Sequence, residues 1–251
     1  VGPAKDAGRA LDSGDARGSG GAVMVSAAES GGRGASRETD VCLIVEGCYP
    51  YVPGGVSGWI DWLIRTQNET SFSVVSLWPR PGNHPMRYAL PPNVVSFDTL
   101  YLQDFGGRPR VRDLQVRGLE AFGDAVDRLV AEGGIAQLES LQKAHKGLLP
   151  KIDLNTIFNS PLAWQLVETM YRKRMPYGSF LHYFWAWRAL LGGLFATLEY
   201  PLPRAKIYHT ISTGYAGVLA ARAALETGRP MLLTEHGIYT NERRIELLMA
   251  D

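Results

Sequence analysis

Residues 41–64 read VCLIVEGCYPYVPGGVSGWIDWLI: an apolar run, a loop rich in glycine and proline, and the amphipathic start of a helix. The run at 41–45 has strand length and no polar alternation, the pattern of a strand buried on both faces of a parallel sheet. Gly54 and Gly55 remove two side chains where the chain turns into the helix near Val56, so backbone N–H groups there can approach a bound group closely. A helix N-terminus favours an anion, with phosphate the usual guest. The stretch therefore reads as the first βα unit of a nucleotide-type α/β fold; a tight connection that binds nothing is the plainer alternative. It is not the dinucleotide fingerprint, because residues 46–53 separate the strand from the glycines.

Working outward, the pattern continues as α/β. Apolar positions place a helix over 57–67, with Trp59, Ile60, Leu63 and Ile64 on one face, and strands over 72–78 and 94–97. From about 113 to 197 the character becomes helical. Leu119, Phe122, Val126 and Leu129 share a face, a second helix is read over 135–148, and a third runs from Pro161 to Arg174. The fourth, FLHYFWAWRALLGGLFATL at 180–198, is long enough to cross a bilayer. Arg188 near its centre would cost about 2.5–3.5 kcal/mol there, and Gly192–Gly193 weakens the helix, so a buried or surface-docked element is expected. Strand and helix then alternate again: strands at 206–211 and 230–234, helices at 215–226 and from Asn241. The fold class is thus a Rossmann-like open parallel sheet with a helical insertion.

Composition narrows the function. A net charge of +1, with aromatic and basic residues not interleaved along any segment, gives no support for nucleic acid. The two cysteines, Cys42 in the first strand and Cys48 just after it, do not form a disulfide framework, which favours a reducing cytoplasm. No signal peptide is visible. Residues 1–39 hold nine of the 28 glycines, no aromatic residue, and five basic charges against five acidic ones, the composition of a disordered tail.

In an open parallel sheet, ligands bind beyond the carboxyl ends of the strands. Three unusual loops fall there: the Gly54–Gly55 loop, HTISTG from His209, and EHGIYT from Glu235. A histidine at a strand end is commonly structural, and His209 and His236 on neighbouring loops beside the glycines leave a functional site and a structural role as even alternatives. The five scattered histidines do not have metal-ligand spacing, so no metal is expected. The hydrolase elbow G-x-S-x-G and the phosphate loop G-x-x-x-x-G-K-[ST] are both missing.

DVCLIVEGCYPYVPGGVSGWIDWLI together with HTISTGYAGVLAARAALETGRPMLLTEHGIYTNERRIEL resembles the N-terminal domain of the PelF-like glycosyltransferases of Pel exopolysaccharide synthesis, within the retaining family-4 enzymes of the GT-B fold. The resemblance covers most of residues 40–251, including SFLHYFWAWRALLGGLF. It implies a cytoplasmic hexosyltransferase, associated with inner-membrane synthesis and export partners, that moves a sugar from a UDP-linked donor to a growing saccharide without a further cofactor. It implies that residues 40–251 form the acceptor-side half and that the donor-binding domain follows the helix from Asn241. A chain ending at Asp251 is then expected to be inactive alone. Gly54, Gly55 and Val56 match the loop that approaches the donor diphosphate. His236 matches the catalytic-site histidine close to the donor sugar, in an orienting and electrostatic role rather than as a general base. His209, with Glu235 and Tyr239, falls on the acceptor side of the cleft. The rival readings are a non-catalytic saccharide- or nucleotide-binding module and a nicotinamide-dependent oxidoreductase, the second disfavoured by the missing fingerprint.

Overall fold

The computed structural model describes residues 37–104, 117–148 and 157–237. Most of the expected disordered tail, Tyr239 and the helix read from Asn241 lie outside those residues. Five strands form one parallel sheet in the order β3-β2-β1-β4-β5: β1 Thr39–Glu46, β2 Phe72–Trp78, β3 Val94–Tyr101, β4 Ala205–Thr210 and β5 Met231–Leu233. With α1 Gly55–Thr66 on one face and α6 Gly214–Thr227 on the other, the chain is a Rossmann-like α/β domain. The order reverses between β1 and β4, because the chain winds outward to β3 and then returns to the far side of β1. Four helices fill that return: α2 Leu119–Glu132, α3 Ile135–Lys146, α4 Pro161–Arg174 and α5 Phe180–Glu199.

The unbroken apolar run of β1 is explained by these layers. Leu43 and Val45 point to one face and pack with Ile60 and Ile64 of α1. Cys42 and Ile44 point to the other face, where Ala216, Leu219, Ala220 and Ala223 of α6 cover them. The inserted helices have a core of their own, in which Leu119, Phe122 and Val126 of α2 meet Trp187, Leu191 and Phe195 of α5. Trp187 donates its indole N–H to the Met170 sulfur at 3.3 Å.

One expectation needs correction, and another gains a structural reason. The third strand runs to Tyr101 rather than ending at Phe97. Ser96, Asp98 and Thr99 break its apolar pattern; the Tyr200 hydroxyl donates to Asp98 at 2.7 Å, and the hydroxyls of Tyr51 and Thr99 pair at 2.8 Å. Gly192 and Gly193, read as a weak point of α5, are buried, and a Cβ at Gly193 would stand 2.4 Å from the Tyr215 ring. The pair therefore lets α6 approach α5. Among the described residues no helix is long and apolar enough to cross a membrane.

α5 and α6 are also joined through Arg222, which is 7% exposed. Its Nη1 donates to the carbonyls of Thr197 at 2.6 Å and Tyr200 at 2.7 Å, and its Nε donates to Glu226 at 3.0 Å. A helix leaves its last carbonyls without intrahelical partners, and a guanidinium can satisfy two at once. Arg222→Ala is expected to cost about 3 kcal/mol in urea denaturation, since charged hydrogen bonds are lost and buried carbonyls are left open. Arg222→Lys, lacking the fork, is expected to recover less than half of that. A loss below roughly 0.5 kcal/mol for the alanine variant would contradict the assignment.

Candidate functional site

Because all five strands are parallel, their carboxyl ends lie along one edge, and the crevice at the order reversal opens between β1 and β4. A cleft of about 270 Å³ sits there, lined by Glu46, Cys48 and Val56 on the β1–α1 side, by Ile211, Ser212 and Thr213 after β4, and by Glu235, His236 and Gly237 after β5. Residues of the three loops singled out in the sequence thus meet in one place, while Gly54, Gly55 and His209 themselves are not among the lining residues.

Glu46 ends β1 and turns its carboxylate toward α6. Its Oε2 accepts the Ala216 N–H at 3.0 Å, and Tyr215 donates a second backbone bond. Gly214 makes this approach possible, since a Cβ there would lie 2.6 Å from that oxygen. Burial raises the Glu46 pKa above its ordinary value, against the opposing pull of the two N–H groups. Thr213, the N-cap of α6, makes no side-chain capping bond, so Glu46 supplies the negative charge that this helix end favours.

α1 begins differently. No side chain caps it, and no acidic residue stands in its first turn. Gly54 has extended backbone, and a Cβ at either Gly54 or Gly55 would meet nothing within 4 Å. The fold itself therefore does not require glycine at this exposed corner; the small residues keep the helix end open from outside.

His236 is exposed, and its ring stands edge-on to Trp59 at 4.9 Å. His209 is placed differently: 7% exposed, it lies behind the cleft rather than lining it. Its Nε2 pairs with Thr234 Oγ1 at 2.8 Å, and its ring lies 6.4 Å from that of Trp59, nearly perpendicular to it. On β4 it stands between Leu43 of β1 and Leu232 of β5, with Trp59 and Thr234 against its ring. Burial, then proximity to His236, lowers the His209 pKa. Glu235 is at the cleft, and Tyr239 lies outside the described residues.

Glu46, Trp59 and Ser212 were not singled out by the sequence reading. The Ser212 hydroxyl is buried and has no hydrogen-bond partner among the described residues. A carboxylate ending a buried strand, and a tryptophan one turn into the following helix, were the available signals. No lysine or arginine is among the described cleft residues, and no group of three metal-ligating side chains occurs among the described residues. The site offers backbone N–H groups, a hydroxyl and an imidazole beside two carboxylates, a set suited to orienting a polar ligand.

Fold and crevice together define a Rossmann-like α/β domain with a candidate site at the topological switch point. The chain belongs to the family described as "Domain of unknown function (DUF3492)", which matches residues 39–251. No curated protein and no solved structure matches it.

His209 gives a test of the geometry. Its folded-state pKa lies below the ordinary 6.5, so the neutral ring contributes stability that is fully present above about pH 6.5 and is lost as pH falls through the lowered value. His209→Gln retains an amide for Thr234 and does not titrate. Between about pH 7.5 and 5.5 the wild type is expected to lose more stability than this variant in urea denaturation. Equal losses would mean that His209 is not held neutral.

Proposed function

We propose that this domain is the acceptor-side half of a retaining GT-B glycosyltransferase, a hexosyltransferase that uses a nucleotide-sugar to extend an exopolysaccharide. The observation that carries the reading is the switch-point crevice, where an uncapped α1 N-terminus stands beside His236 and Glu46 closes the competing end of α6. The family is a glycosyltransferase-associated domain, which supports the same class. The resemblance to PelF-like enzymes narrows it to a UDP-linked donor, a growing saccharide acceptor and inner-membrane partners beside a cytoplasmic enzyme.

In this reading the N–H groups at Gly55 and Val56 face the donor diphosphate, and His236 orients the donor sugar and stabilises developing charge. His236 is not a general base, because a retaining transfer leaves the departing phosphate to receive the acceptor proton. With Glu46 and Glu235 as its charged side chains, this half of the site supplies little to neutralise a diphosphate, and the basic groups belong to the donor-binding half. His209, through Trp59, fixes the wall behind His236.

Saturation-transfer NMR with UDP-N-acetylglucosamine, a representative UDP-sugar, tests this. Weak transfer to the nucleotide-sugar is expected, falling by roughly tenfold in Gly55→Val and His236→Ala, both at exposed positions where the fold tolerates the change. No transfer from the wild type, or equally strong transfer to a nicotinamide dinucleotide, would overturn the reading.

A further inference from the structure

A second concavity, of about 680 Å³, opens beyond β2 and β3 on the same carboxyl edge of the sheet. Arg80 follows β2 and Gln103 follows β3; Arg80 Nε donates to Gln103 Oε1 at 3.2 Å. The opposite wall is α5, which contributes Phe184, Trp185, Arg188 and Ala189, and Asn159 completes the lining. Trp185 is 58% exposed, and its ring lies 5.3 Å from that of Phe184. The Arg188 guanidinium is set over the Phe158 ring at 5.0 Å, which fixes its direction.

We propose that this concavity binds the saccharide acceptor, with Trp185 as the stacking platform and the guanidinium and amide groups around it as hydroxyl partners. A pyranose has an apolar C–H face and a rim of hydroxyls, so it fits a site with an exposed aromatic ring bordered by planar donors and acceptors. The volume is that of a small-molecule site. The location fits as well: strand spacing places the β2–β3 ends roughly 10 Å along the same sheet edge from the β1–β4 crevice. The proposal rests on the glycosyltransferase reading for the word acceptor, but not for the binding of sugar.

The exposed face of α5 also carries Leu181, and Trp164 flanks Phe184, an apolar surface that a lipid headgroup region could accept. Concavity and the four hydrogen-bonding side chains favour saccharide.

The test is retention of the full chain on a printed array of neutral, amino-sugar and uronic-acid oligosaccharides. One saccharide class is expected to retain it, with affinity reduced about tenfold or more by Trp185→Ala and by Arg188→Gln and unchanged by Trp164→Ala, which lies outside the lining. Retention of no class, or retention insensitive to Trp185→Ala, overturns the proposal. So does Trp185-dependent sedimentation with phosphatidylcholine–phosphatidylglycerol vesicles in place of saccharide binding, which would assign the face to a membrane. Nucleotide-sugar binding at the first cleft is read separately: saccharide binding without it would leave this site standing and remove the transferase reading.

Discussion

The Glu46 carboxylate held by the Ala216 N–H at 3.0 Å is the contact on which the crevice depends. It joins the end of β1 to the start of the helix that follows β4, across the point where the strand order reverses. Two helix N-termini face this edge, and each favours negative charge. The protein fills one with its own carboxylate and leaves the other, at Gly54–Gly55, open. In the proposed reading an anion in the crevice is repelled by Glu46 on one side and attracted by the α1 N-terminus on the other, which orients it without a basic side chain among the described lining residues.

That arrangement requires a rigid frame. β1 is buried on both faces, and the small residues Ala216, Ala220 and Ala223 let α6 lie close beneath it. Arg222 then ties α6 to the end of α5. The inserted helices consequently do more than cover the sheet: α5 brings Trp185 and Arg188 to the edge where β2 and β3 end. One sheet edge therefore carries two concavities, one lined by His236 with Glu46 and Glu235 and the other by Trp185 with Arg80 and Arg188.

Much of this was legible in the sequence because burial on two faces leaves a strong pattern. β1, β2 and α4 are read from apolar runs and a first-turn proline, and the observed β2 and α4 have the expected bounds. The edge strand β3 extends past the apolar residues 94–97 through Asp98 and Thr99, where Tyr200, distant in sequence, binds Asp98. The convergence of the Gly54, His209 and His236 loops follows from parallel strands and was readable. The division of labour between the two histidines was not. His209 and His236 both close a strand, and only the position of β4 between β1 and β5 makes one a buried partner of Thr234 and leaves the other at the cleft. Glu46 was hidden for the same reason, since its partner lies 170 residues away.

The central claim is that α1, not α6, receives the diphosphate. Amide chemical-shift mapping of the isotopically labelled chain during titration with UDP measures it directly. The account predicts shifts concentrated at the N–H groups of Gly55 and Val56, with those of Tyr215 and Ala216 unmoved because Glu46 already occupies them. Shifts centred on Tyr215 and Ala216, with Gly55 and Val56 silent, would contradict it.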